Sequence, residues 1–189
     1  MDKYETFYEL TQNEHYNIDY SIVYRLANSD IAIIAIHGGK IEPFTTNIAD
    51  LLANNKYDFY SFLGHKKNNN RNLHITSTNF NEPICMNILS KVNSTISIHG
   101  CNGEKPFYII GGLEKKSISS IEKELIMNGF NSKNSTNLSG YSTYNICNRN
   151  RRKMGVQLEL SKELRVLMSK NEQLLNKFIS IISKNIRGE

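Results

Sequence analysis

The sequence contains few cysteines and no long run of apolar residues. Its three cysteines, Cys85, Cys101 and Cys147, are odd in number and far apart, which is typical of reduced intracellular thiols rather than of a disulfide framework. None belongs to a Cys-x-x-Cys pair, so a thiolate zinc site is not indicated. No apolar run approaches the roughly 20 residues that a membrane-spanning helix needs, and the N-terminal residues lack the apolar core of a signal peptide. We therefore expect a cytoplasmic protein that does not enter a membrane.

The excess charge of the chain is small and positive. Hydrophobic residues make up 39% of the sequence and charged residues 22%, with a formal net charge of +5. This composition is typical of a globular chain, and its length suits a single domain covering residues 1–189. The positive charge favours an anionic partner, which leaves nucleic acid, an anionic membrane surface and an acidic polymer as candidates.

Short apolar segments alternate with segments of helical periodicity. The clearest is the six-residue apolar run 31–36, which indicates a strand buried on both faces. The alternation predicts an α/β domain whose mixed, largely parallel sheet is flanked by helices. We expect strands at 20–26, 31–36, 57–63, 73–77, 94–100, 106–110 and 155–160, an extended segment at 141–147, and helices at 6–10, 45–53, from Asn79 or Asn81 to about Val92, 117–127, and from the N-cap Ser161 to Ile186.

Two of the predicted strands end in a histidine that is followed by glycine. These histidines are His37 and His99, and the C-terminal ends of parallel strands meet at one edge of a sheet. Gly38 and Gly39 allow the chain to reverse, so that Glu42 can return toward His37. Two imidazoles and one carboxylate are the donor set of a catalytic zinc site that keeps a fourth position open. The alternative is a strand-to-helix turn that contains a histidine and a glutamate by chance.

A zinc hydrolase also needs a general base for the attacking water. Glu159 is the candidate, because it lies in a predicted strand whose other residues are mostly apolar. Burying a charge in such a strand costs free energy, which indicates a functional role for this residue. The strand pattern places Val156, Leu158 and Leu160 on one face and Glu159 on the other. A solvated outward face on an edge strand is the alternative interpretation.

These motifs together resemble the phage-derived poly-γ-glutamate hydrolases, a zinc-dependent family with a carboxypeptidase-like α/β fold. Each motif alone is weak, but five of them in order, from about Tyr4 to Arg165, are specific. The motifs are His37-Gly-Gly-Lys-Ile-Glu42-Pro43, Leu73-His-Ile-Thr-Ser77 with Phe80 and Glu82-Pro83, Ser97-Ile-His99-Gly100, Asn145-Ile-Cys-Asn-Arg149, and Gly155-Val-Gln-Leu-Glu159-Leu-Ser161.

The resemblance implies a zinc-dependent hydrolase that cleaves γ-glutamyl amide bonds of poly-γ-glutamate or a related acidic polymer. It implies one Zn²⁺ per chain, held by His37, Glu42 and His99, and a catalytic role for Glu159. Ordinary zinc carboxypeptidases place two residues between the first histidine and the glutamate, whereas this chain has four. We expect a monomer that binds neither nucleic acid nor membrane, and a phage enzyme of this kind could be released by lysis.

A polymer with one carboxylate per residue requires cationic side chains along its binding groove. The candidates lie in the basic segment before the last predicted strand and are Arg149, Arg151 and Arg152, with Lys153 beside them. Arginine is suited to this role because its guanidinium binds carboxylates in a bidentate manner. The alternative for each of these residues is a solvated basic loop.

Two other functions are compatible with parts of the sequence. A cysteine amidase would use Cys101 as its nucleophile with a histidine as base, but it leaves the motif of His37 and Glu42 unexplained. A non-enzymatic module would bind nucleic acid through the basic loop, although the chain lacks a helix-turn-helix signal and interleaved aromatic and basic residues.

His74 is interpreted as a structural histidine. The alternative is that it supports a metal ligand from outside the coordination sphere.

Overall fold

The computed structural model describes residues 2–186. Between these limits the chain forms six strands and six α-helices, and two short 3-10 helices at Asn70–Leu73 and Ile146–Asn148. In chain order the elements are α1 (Phe7–Thr11), β1 (Tyr20–Arg25), β2 (Ile31–Gly39), α2 (Thr45–Ala53), β3 (Asp58–Gly64), α3 (Pro83–Leu89), β4 (Ser94–Cys101), β5 (Tyr108–Gly112), α4 (Lys115–Met127), β6 (Val156–Ser161), α5 (Lys162–Lys170) and α6 (Glu172–Asn185).

The strands form one mixed sheet in the order β1-β3-β2-β4-β6-β5. The four central strands are parallel, and β1 and β5 pair antiparallel at the two edges. The predicted α/β fold with a largely parallel sheet is therefore confirmed. None of the helices in the described part of the chain combines the length and apolarity that crossing a membrane requires.

Strand β2 lies in the centre of the sheet and is buried on both faces, as predicted. Ile31, Ile33 and Ala35 pack with residues of α2, α4, α5 and α6 on one side. Ala32, Ile34 and Ile36 face the other layer, which α1 and α3 cover. Helices on both faces explain why this strand is a continuous apolar run rather than an alternating one.

A β-bulge interrupts the pairing of β2 with β3 just before the site. Ala35 pairs with Ser61 and Gly38 with Leu63, so two residues of β2, Ile36 and His37, oppose one residue of β3. Strict alternation would place His37 on the side of Ile33 and Ala35. The extra residue turns His37 to the opposite face, where Ile36 also packs.

Residues 73–77 do not form the predicted strand. Leu73 ends a 3-10 helix, and residues 74–76 have no regular secondary structure. Leu73 and Ile75 are both buried in the layer that contains Ile34. Their apolar-polar alternation therefore reflects an irregular connection that packs on the core and not a strand in the sheet.

The predicted bounds of several helices also need correction. Helix α3 is capped by Glu82 rather than Asn79 or Asn81, because its carboxylate accepts the N–H groups of Ile84 and Cys85 at 3.0 and 2.8 Å. The helix ends at Leu89 instead of continuing to Val92. Residues 141–147 form turns and the start of a 3-10 helix instead of an extended segment.

The predicted C-terminal helix is divided in two. Ser161 caps α5 as predicted, and its hydroxyl accepts the N–H of Leu164 at 3.2 Å. At Asn171 the backbone becomes extended, and its side chain then caps α6. Lys184 lies in the last turn of α6, where a positive charge is favourable, and Arg187, the next basic residue, lies outside the described residues.

Gly38 is required where the chain leaves the bulge. A Cβ at this position would lie 2.1 Å from Thr46 Oγ1, 2.4 Å from Ser61 Oγ and 2.9 Å from the carbonyl oxygen of Phe62. We expect Gly38→Ala to lower the free energy of unfolding by about 3 kcal/mol, because the backbone must move to accommodate the methyl group. Urea unfolding with a chelator present measures the change in the free energy of unfolding without any contribution from bound metal.

Gly129→Ala is the matched control for this substitution. Its φ is +85°, and a Cβ at this position would have no atom of residues 2–186 within 4 Å outside its immediate chain neighbours. Only backbone strain of about 1 kcal/mol is therefore expected. Equal losses of stability for the two variants would contradict the steric explanation at Gly38.

Candidate metal centre

Three buried side chains converge at the C-terminal edge of the parallel strands. His37 Nδ1 lies 3.2 Å from Glu42 Oε1 and 3.2 Å from His99 Nδ1, and His99 Nδ1 lies 3.9 Å from Glu42 Oε2. All three donor atoms lie within 4.8 Å of one another. The structure therefore brings together the three residues that the sequence suggested as ligands.

Neighbouring groups orient the donor atoms toward one another. His37 Nε2 donates to the carbonyl oxygen of Ile75 at 2.9 Å, so that its Nδ1 faces the cluster. His99 Nε2 lies 2.7 Å from the Ser97 hydroxyl, so its Nδ1 also faces inward. Outer partners of this kind hold metal-binding histidines in the required tautomer. The donor set and its orientation fit a tetrahedral metal such as zinc.

The turn between His37 and Glu42 brings these two candidate ligands together, although four residues separate them in sequence. Gly39 has a φ of +62°, which allows the reversal predicted from the glycine pair. The N–H of Glu42 then donates to the carbonyl oxygen of His37 at 2.9 Å. The carboxylate of Glu42 accepts the N–H of Gly100 at 2.8 Å, which ties the turn to β4.

The charges of Glu42 and His99 suit metal binding at neutral pH. Burial opposes ionisation of Glu42, but His37 and His99 outweigh it and lower the pKa of Glu42 to about 2. Burial and the neighbouring His37 lower the pKa of His99 to about 3. An ionised carboxylate and a neutral imidazole are the forms that coordinate a metal.

Glu159 lies beside this cluster on strand β6. It pairs in register with His99 and is 6% exposed, and its Oε1 accepts a hydrogen bond from Gln157 Nε2 at 3.2 Å. Because β6 is an interior strand, the interpretation as a solvated edge-strand residue is wrong. Burial and the charge of Glu42 raise the pKa of Glu159 to about 8.

A cavity of about 870 Å³ opens over the cluster. Its walls include residues 76–78 on one side and residues 136–142 on another, and Glu159 lines it together with the three candidate ligands. Two cationic side chains, Arg71 and Arg165, also line the cavity. The arrangement presents a carboxylate, a potential metal position and positive charge to one bound molecule.

The three arginines suggested as substrate contacts do not line this cavity. Arg149 is used internally, because its guanidinium donates to the carbonyl oxygens of Thr78, Phe80 and Tyr144 at 2.6 to 2.9 Å. Arg151 is exposed away from the site, and Arg152 pairs with Glu114 at 3.0 Å. The sequence showed that the segment is basic but not which way its side chains point.

The sequence did not identify Arg165 as a site residue. Its guanidinium is buried and donates to the carbonyl oxygens of Leu160, Pro43 and Cys101 at 3.1, 2.5 and 3.4 Å. Gly100 makes room for it, since a Cβ there would lie 2.6 Å from Arg165 Cζ. Its place beside Leu164 on the buried face of α5 is the signal that could have revealed it.

His74 contacts the cluster more closely than a purely structural histidine would. Its ring stacks on His37 with centroids 3.9 Å apart, and its Nε2 lies 3.9 Å from Glu42 Oε1. Its Nδ1 bonds to Asp2 at 2.7 Å. Burial and the neighbouring His37 lower the pKa of His74 to about 4, so the ring is neutral near pH 7.

Cys101 lines the cavity but is poorly suited to act as a nucleophile. Burial and the nearby Glu159 raise the pKa of its thiol to about 11. Reactive cysteines have lowered pKa values, because the thiolate is the attacking form. The electrostatics of the site therefore disfavour the cysteine amidase.

The contacts of Arg149 predict a role in stability. We expect Arg149→Ala to lower the free energy of unfolding by about 2 to 4 kcal/mol, because three carbonyl groups lose a charged donor. Arg151→Ala, at an exposed position of the same loop, should change it by less than about 0.5 kcal/mol. Chemical denaturation of both variants measures the difference, and similar stabilities would contradict the assignment.

The chain is similar in sequence to a prophage-derived protein of Bacillus subtilis. The SPβ prophage-derived UPF0714 protein YoqZ of Bacillus subtilis strain 168 is 38% identical over 167 residues, which cover 87% of this chain and 60% of that protein. The chain thus spans about 60% of the length of this relative.

Two solved structures match nearly the whole chain. A bacteriophage poly-γ-glutamate hydrolase superposes with a TM-score of 0.92 at 26% identity, covering 98% of this chain and 96% of that one. A structure described as zinc-free YndL superposes with a TM-score of 0.91 at 30% identity, covering 98% and 97%. The sequence pattern of the poly-γ-glutamate hydrolase family matches residues 4–180. The chain therefore belongs to the poly-γ-glutamate hydrolase family.

Proposed function

We propose that this protein is a zinc-dependent hydrolase that cleaves γ-glutamyl amide bonds of poly-γ-glutamate or a related acidic polymer. The observation that carries the proposal is the convergence of the His37, Glu42 and His99 donor atoms beside Glu159. The family and the phage hydrolase structure support the substrate class. The description of the related YndL structure as zinc-free supports the choice of metal.

His37 Nδ1, His99 Nδ1 and the Glu42 carboxylate would hold one zinc ion per chain. Bound zinc would supply Lewis acidity, which polarises a carbonyl and allows water to lose a proton near pH 7. The Ile75 carbonyl oxygen accepts the His37 Nε2 proton, and the Ser97 hydroxyl lies where it can accept the His99 Nε2 proton, which would leave both Nδ1 atoms for the metal. All of these residues come from one chain, which supports a monomer as the functional unit.

Glu159 is assigned as the general base. Its carboxylate lines the cavity next to His99 and can accept a proton from the attacking water. The same oxygen then delivers the proton to the leaving amine, which restores the carboxylate. Its raised pKa reflects a site of low polarity, where a carboxylate is a stronger base than in water.

The cationic side chains of the cavity are assigned to the acidic substrate. Arg165 is held rigidly by three carbonyl groups and places fixed positive charge at the site. Arg71 is exposed, and its guanidinium makes no hydrogen bond or ion pair with any residue from 2 to 186 that would compete with a ligand. Arg71 is therefore the side chain best placed to bind a substrate carboxylate in a bidentate manner.

Substitution of Glu159 tests the mechanism. We expect Glu159→Gln to lower kcat for poly-γ-glutamate at least about a hundredfold, because the amide cannot accept the proton. Zinc content should remain one ion per chain. Polymer cleavage is followed by size-exclusion chromatography and by the release of new amines, with metal analysis of each sample.

Cys101→Ala is the matched control in the same cavity. It should retain wild-type turnover under the zinc mechanism, whereas a cysteine amidase would lose activity. Undiminished turnover of Glu159→Gln, or loss of activity in Cys101→Ala with zinc still bound, would contradict the proposal.

Substitution of Arg71 tests substrate recognition. We expect Arg71→Ala to raise KM for the polymer about tenfold, equivalent to about 1.4 kcal/mol, with zinc affinity unchanged. Lys67→Ala removes an exposed positive charge from the same connection but outside the cavity and should leave KM near the wild-type value. Equal effects of the two substitutions would assign Arg71 to general electrostatic attraction only.

A further inference from the structure

The side chain of Asp2 binds a distant segment of the chain that adjoins the candidate metal centre. Its Oδ2 accepts both the N–H and the hydroxyl of Thr76 at 2.6 Å. Its Oδ1 accepts the Nδ1 proton of His74 at 2.7 Å. Both partners lie on the connection between β3 and α3, more than 70 residues away in sequence.

The segment that Asp2 binds makes two contacts with the candidate ligand His37. Ile75, between the two partners of Asp2, provides the carbonyl oxygen that accepts the His37 Nε2 proton at 2.9 Å. The His74 ring stacks on the His37 ring with an interplanar angle of 26°. Residues 74–76 belong to no helix or strand, so no regular hydrogen-bond ladder holds this carbonyl in place.

The residues after Asp2 are themselves held against the same connection. The Tyr4 hydroxyl donates to Glu14 at 2.6 Å, and Glu14 also pairs with Lys66. The N–H of Phe7 donates to Asn81 Oδ1 at 2.8 Å. The N-terminal segment is therefore attached both before and after residues 74–76, which places the Asp2 carboxylate reproducibly.

The carboxylate of Asp2 also determines the tautomer of His74. An ionised carboxylate only accepts hydrogen bonds, so the proton of the neutral ring lies on Nδ1. The lone pair of Nε2 then faces Glu42 Oε1 at 3.9 Å, on the side of the cavity. Loss of the carboxylate would free the ring to rotate or to change tautomer beside two candidate ligands.

We propose that Asp2 is a positioning residue of the metal centre. Its carboxylate holds His74 and Thr76 so that the Ile75 carbonyl and the His74 ring keep His37 oriented with Nδ1 toward Glu42 and His99. This inference rests on the proposed function, because it assigns an outer support to the zinc ligands. Supports of this kind affect metal affinity by about 10- to 100-fold.

Zinc affinity of the full chain tests the proposal. Competition with a chromophoric chelator gives the zinc dissociation constant of the wild type, Asp2→Ala and Asp2→Asn. We expect Asp2→Ala to raise it at least about tenfold. Asp2→Asn keeps the volume of the side chain but loses an acceptor, and it should also weaken zinc binding. Glu5→Ala is the matched control, because Glu5 is an exposed acidic residue whose side chain makes no hydrogen bond or ion pair with residues 74–76.

Hydrogen exchange separates positioning from a general loss of stability. In the zinc-loaded protein, the His37 Nε2 proton should exchange at least about tenfold faster in Asp2→Ala than in the wild type, because its acceptor at Ile75 is no longer fixed. Backbone amides of β4 should keep their protection. Uniformly faster exchange throughout the sheet would indicate a merely structural role and would overturn the proposal.

The outcomes distinguish this inference from the proposed function. Absence of zinc binding by the wild type would remove both. Wild-type binding together with dissociation constants of Asp2→Ala and Asp2→Asn within twofold of Glu5→Ala would overturn the role of Asp2 alone. Weakened binding by both Asp2 variants, with faster exchange confined to the His37 proton, is the result that the proposal predicts.

Discussion

The candidate site depends on the bulge that turns His37 to the correct face of the sheet. Without it, the alternation of β2 would direct His37 away from His99 and Glu159, which lie on the face opposite Leu158 and Leu160. The bulge is in turn supported by the close approach of Gly38 to Ser61 and Phe62. A local irregularity in one strand thus decides whether three side chains that are distant in sequence can bind the same metal ion. Bulges next to functional sites commonly redirect a side chain in this way.

The two buried carboxylates of the site have different environments and therefore different chemistry. Glu42 lies next to two imidazoles, which outweigh burial and lower its pKa to about 2. Within residues 2–186 no imidazole forms a hydrogen bond with Glu159, and burial with the charge of Glu42 raises the pKa of Glu159 to about 8. Environments that separate the pKa values of paired acids are how enzymes assign roles to them. Glu42 is therefore ionised at neutral pH, as a metal ligand must be, whereas Glu159 holds a proton more tightly, in keeping with its proposed role in proton transfer.

The sequence was sufficient to predict the central sheet and the residues that converge at its edge. His37 and His99 each end an apolar strand, and the parallel arrangement brings such ends together. The sequence was less informative about irregular segments, because burial alone does not distinguish them from strands. Leu73 and Ile75 alternate with polar residues, yet they anchor a connection that packs on the core and not a strand.

The cationic residues of the site could not be predicted for a similar reason. Local sequence shows that Arg149 and Arg152 lie in a basic segment, but only the fold shows that carbonyl groups and Glu114 occupy them. Arg165 is separated from His99, the nearest candidate ligand in sequence, by β5, α4 and β6, and it reaches the cavity through space left by Gly100. The contribution of Asp2 is likewise a contact between residues far apart in sequence.

We propose that His37, Glu42 and His99 bind a single zinc ion through the atoms that converge in this structure. Anomalous diffraction at the zinc edge, from crystals of the zinc-loaded protein, tests it most directly. We expect one strong peak at about 2.0 to 2.2 Å from Nδ1 of both histidines and from a carboxylate oxygen of Glu42. A peak elsewhere in the protein, or none at this cluster, would contradict it.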